Sequence, residues 1–554
     1  TINIMKRIKF LSLALAALAL GACSSSDDVA EGGGGNSTSY VTVNIRTVSD
    51  LPGTRAGEYD AGGGTYEDGE GNESTISSVN FYFFNADGSP YLMNNGGGVT
   101  NKVNSTSFTD AGSNQTQTIE SMKTTLVLSG TGTPKPKYCI AIANDPLSIT
   151  GTIKLADLKQ KTTDLASITG SAFTMSNSVY MNSSSAIVTE QDIEAAVQST
   201  PEAANANPVN IYIERVAAKV NTSIPTIGTD WTESAGVYKI EVGQTAGGDY
   251  VFAVVKGWGV ADGKKLVWMT KNLSTSYTLN FTPWNSDESN FHRSFWANTY
   301  DGSGQAVVNS SWNQYTTAIG TAIYTNENTP TVAYDPATIG FYNGNQLSKV
   351  LVAAQLVDGS GNPVELCTYR GVEYLSATGV MNQILTELQG KFRKNTGGGT
   401  ADLDASDLQF KTQKSLGASA PSGMKNYEVT VRLASTLTLE KYDGASWVSA
   451  TENDLNTQVD KAFAQIRTSG DAYYYIPISH LGTSENKLGA FGVVRNHSYK
   501  VTINDMKGFG TPVYDPDEEI TPTVPDDTKV YLAAKINVLS WRVVKSTVDL
   551  DKTK

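Results

Sequence analysis

Few side chains in this sequence invite chemistry, and most of that chemistry would be done to the chain rather than by it. The three histidines, His292, His480 and His497, are too scattered for an HExxH zinc helix, and no GxSxG elbow or phosphate loop occurs. Gly259–Lys265 (GVADGKK) lacks the spacing and the Ser/Thr of a P-loop. Glu518 and Glu519 lie in a Pro/Asp-rich stretch where solvation is their expected role, although glycosidase acids, being distant in sequence, are not found by such inspection. Asp60, Glu67, Asp68, Glu70 and Asn72 offer oxygens without the spacing of an EF-hand loop. No catalytic residue, metal ligand or cofactor is therefore assigned. Two residues do stand where processing enzymes act. Cys23 ends the run Leu20-Gly21-Ala22-Cys23, with small residues directly before its thiol. Arg55 follows the turn-forming Asp50-Leu51-Pro52-Gly53-Thr54 and precedes Ala56-Gly57, in the kind of loop that proteases cut.

The elements around these two residues give them context. Met5 is followed by Lys6, Arg7 and Lys9 and then by an apolar run of 11 residues, Phe10–Leu20. That length suits a secretory signal and is too short to span a membrane. Thr1–Ile4 precede the expected start methionine. The junction at Cys23 resembles a bacterial lipobox, which implies acylation of Cys23 and cleavage before it; an ordinary signal peptide with a chance cysteine is the alternative. Several acyl chains on one residue would anchor the chain stably. Ser24–Gly35 is then a flexible acidic tether. Beyond it, Val41, Val43 and Ile45 alternate with Thr42, Asn44 and Arg46, the period of a half-buried strand. A cut at Arg55 would carry that strand away, and a sheet that loses a strand exposes unpaired backbone. The strand reads as a temporary plug.

Composition bounds the rest. Removing residues 1–55 leaves 554 − 55 = 499 residues, enough for two or more domains. Only 18% of residues are charged while tyrosines number 26, which favours extracellular β structure. A net charge of −13 argues against nucleic acid as a partner. Cys139 and Cys367 read as two buried free thiols, with a disulfide as the alternative. Strand patterns recur at Ile76–Asn85, Thr124–Leu128, Tyr138–Ala143, Val209–Val220, Val237–Val242, Val251–Val260, Lys349–Asp358, Ala472–Ile478 and Val493–Ile503, with a domain boundary expected near Thr222–Trp231. Short helices are expected at Ile153–Thr163, Ile193–Gln198, Val380–Phe392 and Leu455–Ile466. The fold class is mainly β with a few short helices. Trp296, Tyr300, Trp312 and Tyr315 either cap the ends of a sandwich or stack on sugars. The extended, acidic Lys507–Thr528 precedes a strand-like tail, Tyr531–Leu550.

In combination, these segments resemble the fimbrillins of the type V pilus, and within them the shaft subunits of the short (minor) fimbriae. The resemblance rests on Leu20–Cys23, Thr54-Arg55-Ala56-Gly57, Lys137–Asp145 (KYCIAIAND), Ile213–Val220 (IERVAAKV), VVRNHSYKVTI over 493–503 and INVLSWRVVKSTVDL over 536–550. It does not extend to residues 290–345. It implies two transthyretin-like β-sandwich domains, over 56–225 and 226–528, after a signal peptide (1–22) and a lipidated propeptide (23–55), with a donor-strand segment at 529–554. It implies an outer-membrane lipoprotein precursor, cut between Arg55 and Ala56 by a trypsin-like or gingipain-like protease. The plug strand Val41, Val43 and Ile45 would leave with the lipid. A neighbour's tail, carrying Val544, Val548 and Leu550, would take its place, so the partners are other copies of the chain, head to tail, and accessory anchor and tip proteins. The expected product is a cell-surface fimbria that supports adhesion, without enzymatic activity. The alternatives are a tip or anchor subunit of the same family, or a surface glycan-binding lipoprotein.

Overall fold

The computed structural model describes residues 37–47, 69–96, 98–110, 121–130, 135–184, 186–273, 297–303, 307–308, 310–329, 347–480, 491–520, 531–539 and 545–547. It is mainly β. The amino-terminal half is built on one twelve-stranded mixed sheet. Its central members are β1 (Ser37–Thr47), β2 (Val79–Phe84), β3 (Ser121–Gly130), β4 (Tyr138–Ala143), β5 (Met175–Asn177) and β6 (Val209–Arg215). Their order across the sheet is β3-β1-β6-β5-β4-β2, with Lys102–Ser105 beyond β2. Ser105 hydrogen-bonds Thr124 of β3 at 3.1 Å, so the sheet curls until its two sides meet. Inside the curl lie Val41, Val43, Phe81, Phe83, Leu126, Leu128, Ala141 and Ile211. On the outer face of β2 and β4, Tyr82, Phe84, Ile140 and Ile142 meet Leu155, Leu158 and Met269 in a second apolar layer. That double burial is why these strands are apolar at nearly every position.

The long apolar run Val209–Val220 is two strands, not the single one its composition suggests. The chain breaks at Val216-Ala217, both fully buried, and continues as β7 (Ala218–Ser223) in a different sheet. Here β7 pairs in parallel with β12 (Ser498–Lys507), from Lys219↔Ser498 to Ser223↔Thr502. Facing that sheet is a second, whose order includes β8 (Val237–Gln244), β9 (Tyr250–Ala261), β10 (Lys349–Val357) and β11 (Asp471–Pro477). Val220, Ile240, Ala253, Trp258, Val352, Tyr474 and Val501 fill the space between them. Two sheets face to face over an apolar core form a β-sandwich. Residues 367–466, inserted between β10 and β11, assemble a third core from two small sheets and the helices α2 (Ala377–Leu388) and α3 (Glu452–Val459).

Helices are shorter than their apolar periodicity suggested, each for a local reason. Ser376 caps α2 by accepting from the Gly379 N–H, but the helix stops before Gly390 (φ +71°), and Phe392 opens a strand. Helix α3 starts in a capping box of Thr451 and Asp454 and ends at Val459; Ala464–Ile466 is a strand. Leu155–Lys159 is one helical turn, and the next residues, Thr162–Asp164, pair instead with Leu266–Trp268. Glu194–Ala196 is a single tight turn before Val197 and Gln198 pair with β1. Cys139 and Cys367 are free and buried in separate cores, so no bridge joins them. Burial pushes the Cys367 thiol up to about 12.

Candidate functional site

The element to locate is β1, which the sequence reading expects to be removed; the fold places it in the middle of a sheet. One edge of β1 pairs antiparallel with β3, from Ser37↔Gly130 to Arg46↔Ser121. The other edge pairs first with Gln198 and Val197, then in parallel with β6, from Val43↔Val209 to Thr47↔Ile213. Val41 and Val43 are 0% exposed and Ile45 is 2% exposed. The alternation of apolar residues therefore points into the core as expected.

The opposite face differs from expectation. A half-buried strand should wet its polar residues, yet Thr42 is 0% and Asn44 only 8% exposed. The cover is local polar pairing and a helix. Thr42 shares a hydrogen bond with Thr125 at 2.8 Å, and Asn44 Nδ2 donates to Asn210 Oδ1 at 3.1 Å. The helix α1 (Pro201–Ala206; labelled apart from α2 and α3, which follow it) packs against the strand, its start fixed by Thr200 accepting from the Ala203 N–H. The only sequence signal for this second set of contacts is the recurrence of Thr and Asn at facing positions of three strands. Periodicity alone cannot say that those strands are neighbours.

Downstream of β1 the chain is fastened again at the junction between the two halves. Glu73 is 1% exposed. Its carboxylate lies 2.8 Å from Lys219 Nζ and accepts from the Tyr324 hydroxyl. Burial pushes this carboxyl up, but Lys219 and Tyr324 outweigh it and hold it below its ordinary range. Arg215, at the end of β6, donates to the Glu73 carbonyl at 2.6 Å and to Asn496 Oδ1 at 3.2 Å. The segment carrying Arg55 and Ala56 thus runs between two fastened points, β1 and Glu73. Arg55, Ala56 and the lipidation candidate Cys23 themselves lie outside the described residues.

At the other end of the chain, β13 (Tyr531–Leu539) pairs antiparallel with β12, from Ser498↔Leu539 to Lys507↔Tyr531. Beyond it β14 (Lys545–Thr547) folds back on β13, through Lys535↔Thr547, Ile536↔Ser546 and Asn537↔Lys545, and ends the order of that sheet. Of the proposed donor residues, Val544, Val548 and Leu550 fall outside the described residues.

The aromatic region contributes capping. Trp312 is 8% exposed, and its indole N–H donates to the Ala472 carbonyl at 2.9 Å. Tyr315 is buried against β9, where a Cβ at Gly257 would strike the Tyr315 carbonyl. Tyr300 meets Trp268 edge-on at 4.8 Å; Trp296 lies outside the described residues. Among the described residues, no three His, Cys, Asp or Glu side chains are grouped to hold a metal ion. No helix there is long and apolar enough to cross a membrane.

Comparison with known proteins follows these same two ends. The family model of the major fimbrial subunit protein (FimA) matches residues 39–215, from within β1 to the last residue of β6. The model of the major fimbrial subunit protein type IV, fimbrillin, C-terminal, matches residues 466–547, which take in β11 to β14. No curated protein matches the chain. Among solved structures, a fimbrilin (fimA) from Porphyromonas gingivalis W83 is 12% identical, covering 90% of this chain and 96% of its own, with a TM-score of 0.36. The tip fimbrial protein Mfa3 from Porphyromonas gingivalis is 11% identical, covering 90% and 99%, with a TM-score of 0.29. A fimbrial assembly protein from Parabacteroides distasonis is 13% identical, covering 57% and 82%, with a TM-score of 0.26. Superpositions this loose carry no assignment, which rests on the two family models. Matched in order at its two ends, the chain is a fimbrillin of the major fimbrial subunit family, a subunit of a cell-surface fimbria.

Proposed function

We propose that this fimbrillin is a shaft subunit made as a lipoprotein precursor and polymerised by strand replacement. Cys23 carries the lipid, Arg55-Ala56 is the bond cut, and β1 is the strand that leaves. The observation that carries the reading is the position of β1, paired along both edges and buried on both faces, while the chain that joins it to the sheet strands after it runs through the segment containing Arg55. Cutting that segment separates β1 from the body of the protein. Its departure would open a slot between β3 and β6 and strip Val41, Val43 and Ile45 from the core.

Fully burying three such aliphatic side chains is worth about 1.5–3 kcal/mol each, on the order of 5–9 kcal/mol before ordering costs. An incoming strand with the polarity of β1, antiparallel to β3 and parallel to β6, would recover both that burial and the backbone pairing. The segment around β14 is the natural donor. It is the last strand of its own sheet and, among the described residues, pairs there with β13 alone. A tail from one subunit seated in the slot of the next is a head-to-tail contact that does not close on itself, so it makes a filament. We read the two halves as the transthyretin-like domains of this family, with the lipid and the protease acting only on the precursor. Anchor and tip proteins would begin and end the filament.

Arg46 is a less favourable cut site. Its backbone is paired with Ser121 on one side and Tyr212 on the other, so a protease would first have to unzip the sheet. The test is Arg55→Ala. The expected result is an uncut, membrane-bound monomer that retains residues 37–47. Normal filaments from this variant would overturn the reading.

A further inference from the structure

Three ion pairs among the described residues are sealed almost completely from water, and they differ in how well they are satisfied. Arg495 and Glu327 form a forked pair, with nitrogen to oxygen distances of 2.5 and 2.8 Å, and the guanidinium also donates to the Trp268 carbonyl at 2.7 Å. Lys349 donates to Asp262 and, at 3.1 Å, to the Leu347 carbonyl. The third pair, Lys271 and Glu214, is the exception. Both side chains are 0% exposed, and Nζ stands 2.7 Å from Oε1. Yet the contact lacks the alignment of a hydrogen bond, and among the described residues neither carboxylate oxygen nor Nζ has a hydrogen-bond partner.

A dry ammonium and carboxylate with no supporting hydrogen bonds are the unfavourable form of a buried pair. Burial acts on both groups in the neutralising direction, raising the Glu214 carboxyl and lowering the Lys271 ammonium. In the neutral form that burial favours, and that the pair's own mutual attraction opposes, an amine stands in contact with a carboxylic acid where water is excluded.

We propose that Lys271 Nζ and Glu214 Cδ are joined by an intramolecular amide bond. The amine lone pair attacks Cδ, the new C–N bond forms, and the C–OH bond breaks as a proton moves from nitrogen to the departing hydroxyl. One water leaves, and no oxidant, reductant or other co-reactant is needed. The charge of Arg495 acts on both groups and would stabilise the oxyanion formed on the way. The charge of Glu327 also reaches both, but its two oxygens are held by Arg495, so the proton passes directly from nitrogen to the leaving hydroxyl. The amide replaces several unsatisfied polar atoms with one N–H and one carbonyl. Burial acts the same way on the Lys349–Asp262 pair, but there Nζ is held by hydrogen bonds to Asp262 and to the Leu347 carbonyl.

Position gives the bond its use. Glu214 is in β6, the strand beside the slot, whereas Lys271 follows Leu266–Trp268 in the carboxy-terminal half. The bond would tie the two halves covalently at their junction, so that tension passing through a subunit cannot pull them apart.

Tryptic digestion of the purified full chain and mass spectrometry test this directly. Trypsin does not cut after an amidated lysine. The expected product is a branched peptide joining the segments that contain Glu214 and Lys271, lighter by one water than the two linear segments together, with no linear peptide ending at Lys271. In Lys271→Met the branched peptide disappears. Full recovery from the wild-type chain of linear peptides ending at Lys271 and carrying free Glu214 would overturn the proposal, whether or not the variant folds.

Discussion

The first and last described strands are held in opposite ways. β1 lies between two neighbours and is buried on both faces over residues 41–45, whereas β14, among the described residues, pairs with β13 alone at the end of its sheet. Ordinarily the better-buried strand is the permanent one. On the proposed reading it is the deeply held strand that is cut away, and the strand at the end of its sheet that is used elsewhere. The difference teaches that permanence is set by connectivity as well as by burial. On that reading, pairing holds β1 with full advantage while its covalent tie makes the contact intramolecular, and a neighbour's strand of equal fit could compete once that tie is cut.

Each prediction bears on this contrast. The largest effect is expected from deleting residues 543–554, which removes β14 and its flanks. Cleavage should proceed while filaments disappear entirely, as judged by electron microscopy of sheared surface material. Next, Val43→Asp places an unpaired charge in a fully buried position of β1. It should destabilise the uncut precursor by about 3–5 kcal/mol in urea unfolding, yet leave assembled filaments unchanged because the strand is gone from them.

Asp471 supplies a control in β11, a strand that neither the cut nor the exchange of the tail would remove. Burial raises its carboxyl from 3.8 to about 6. The folded chain then holds a proton that the unfolded chain releases, so this group makes stability fall as pH rises through that window. Asp471→Asn should raise stability by about 1–3 kcal/mol near pH 7, with the gain vanishing near pH 3, equally in precursor and matured chain. The smallest effect should come from Thr42→Val, which removes the hydrogen bond to Thr125. A loss of about 1 kcal/mol is expected, again in the precursor only.

Much of β1 was legible in the sequence because Val41, Val43 and Ile45 keep the period of a strand over an apolar core. Its second buried face was not, since the cover comes from Thr125, Asn210 and the helix over 201–206, all remote in sequence. The break at Val216-Ala217 was hidden for a related reason. Both residues are apolar and buried, so the chain passes from one sheet to another without a polar residue to mark it. The separate core of residues 367–466 was equally silent, because its strands have the same composition as those around them. Trp312 could be read as a platform or a cap; the indole bond to Ala472 makes it a cap.

The most direct test of the central claim is the amino-terminal sequence of subunits in filaments sheared from the cell surface. A start at Ala56 is predicted, with β1 absent from the filament. A start at Cys23 would contradict the account, since it would leave β1 in its slot with no place for a neighbour's strand.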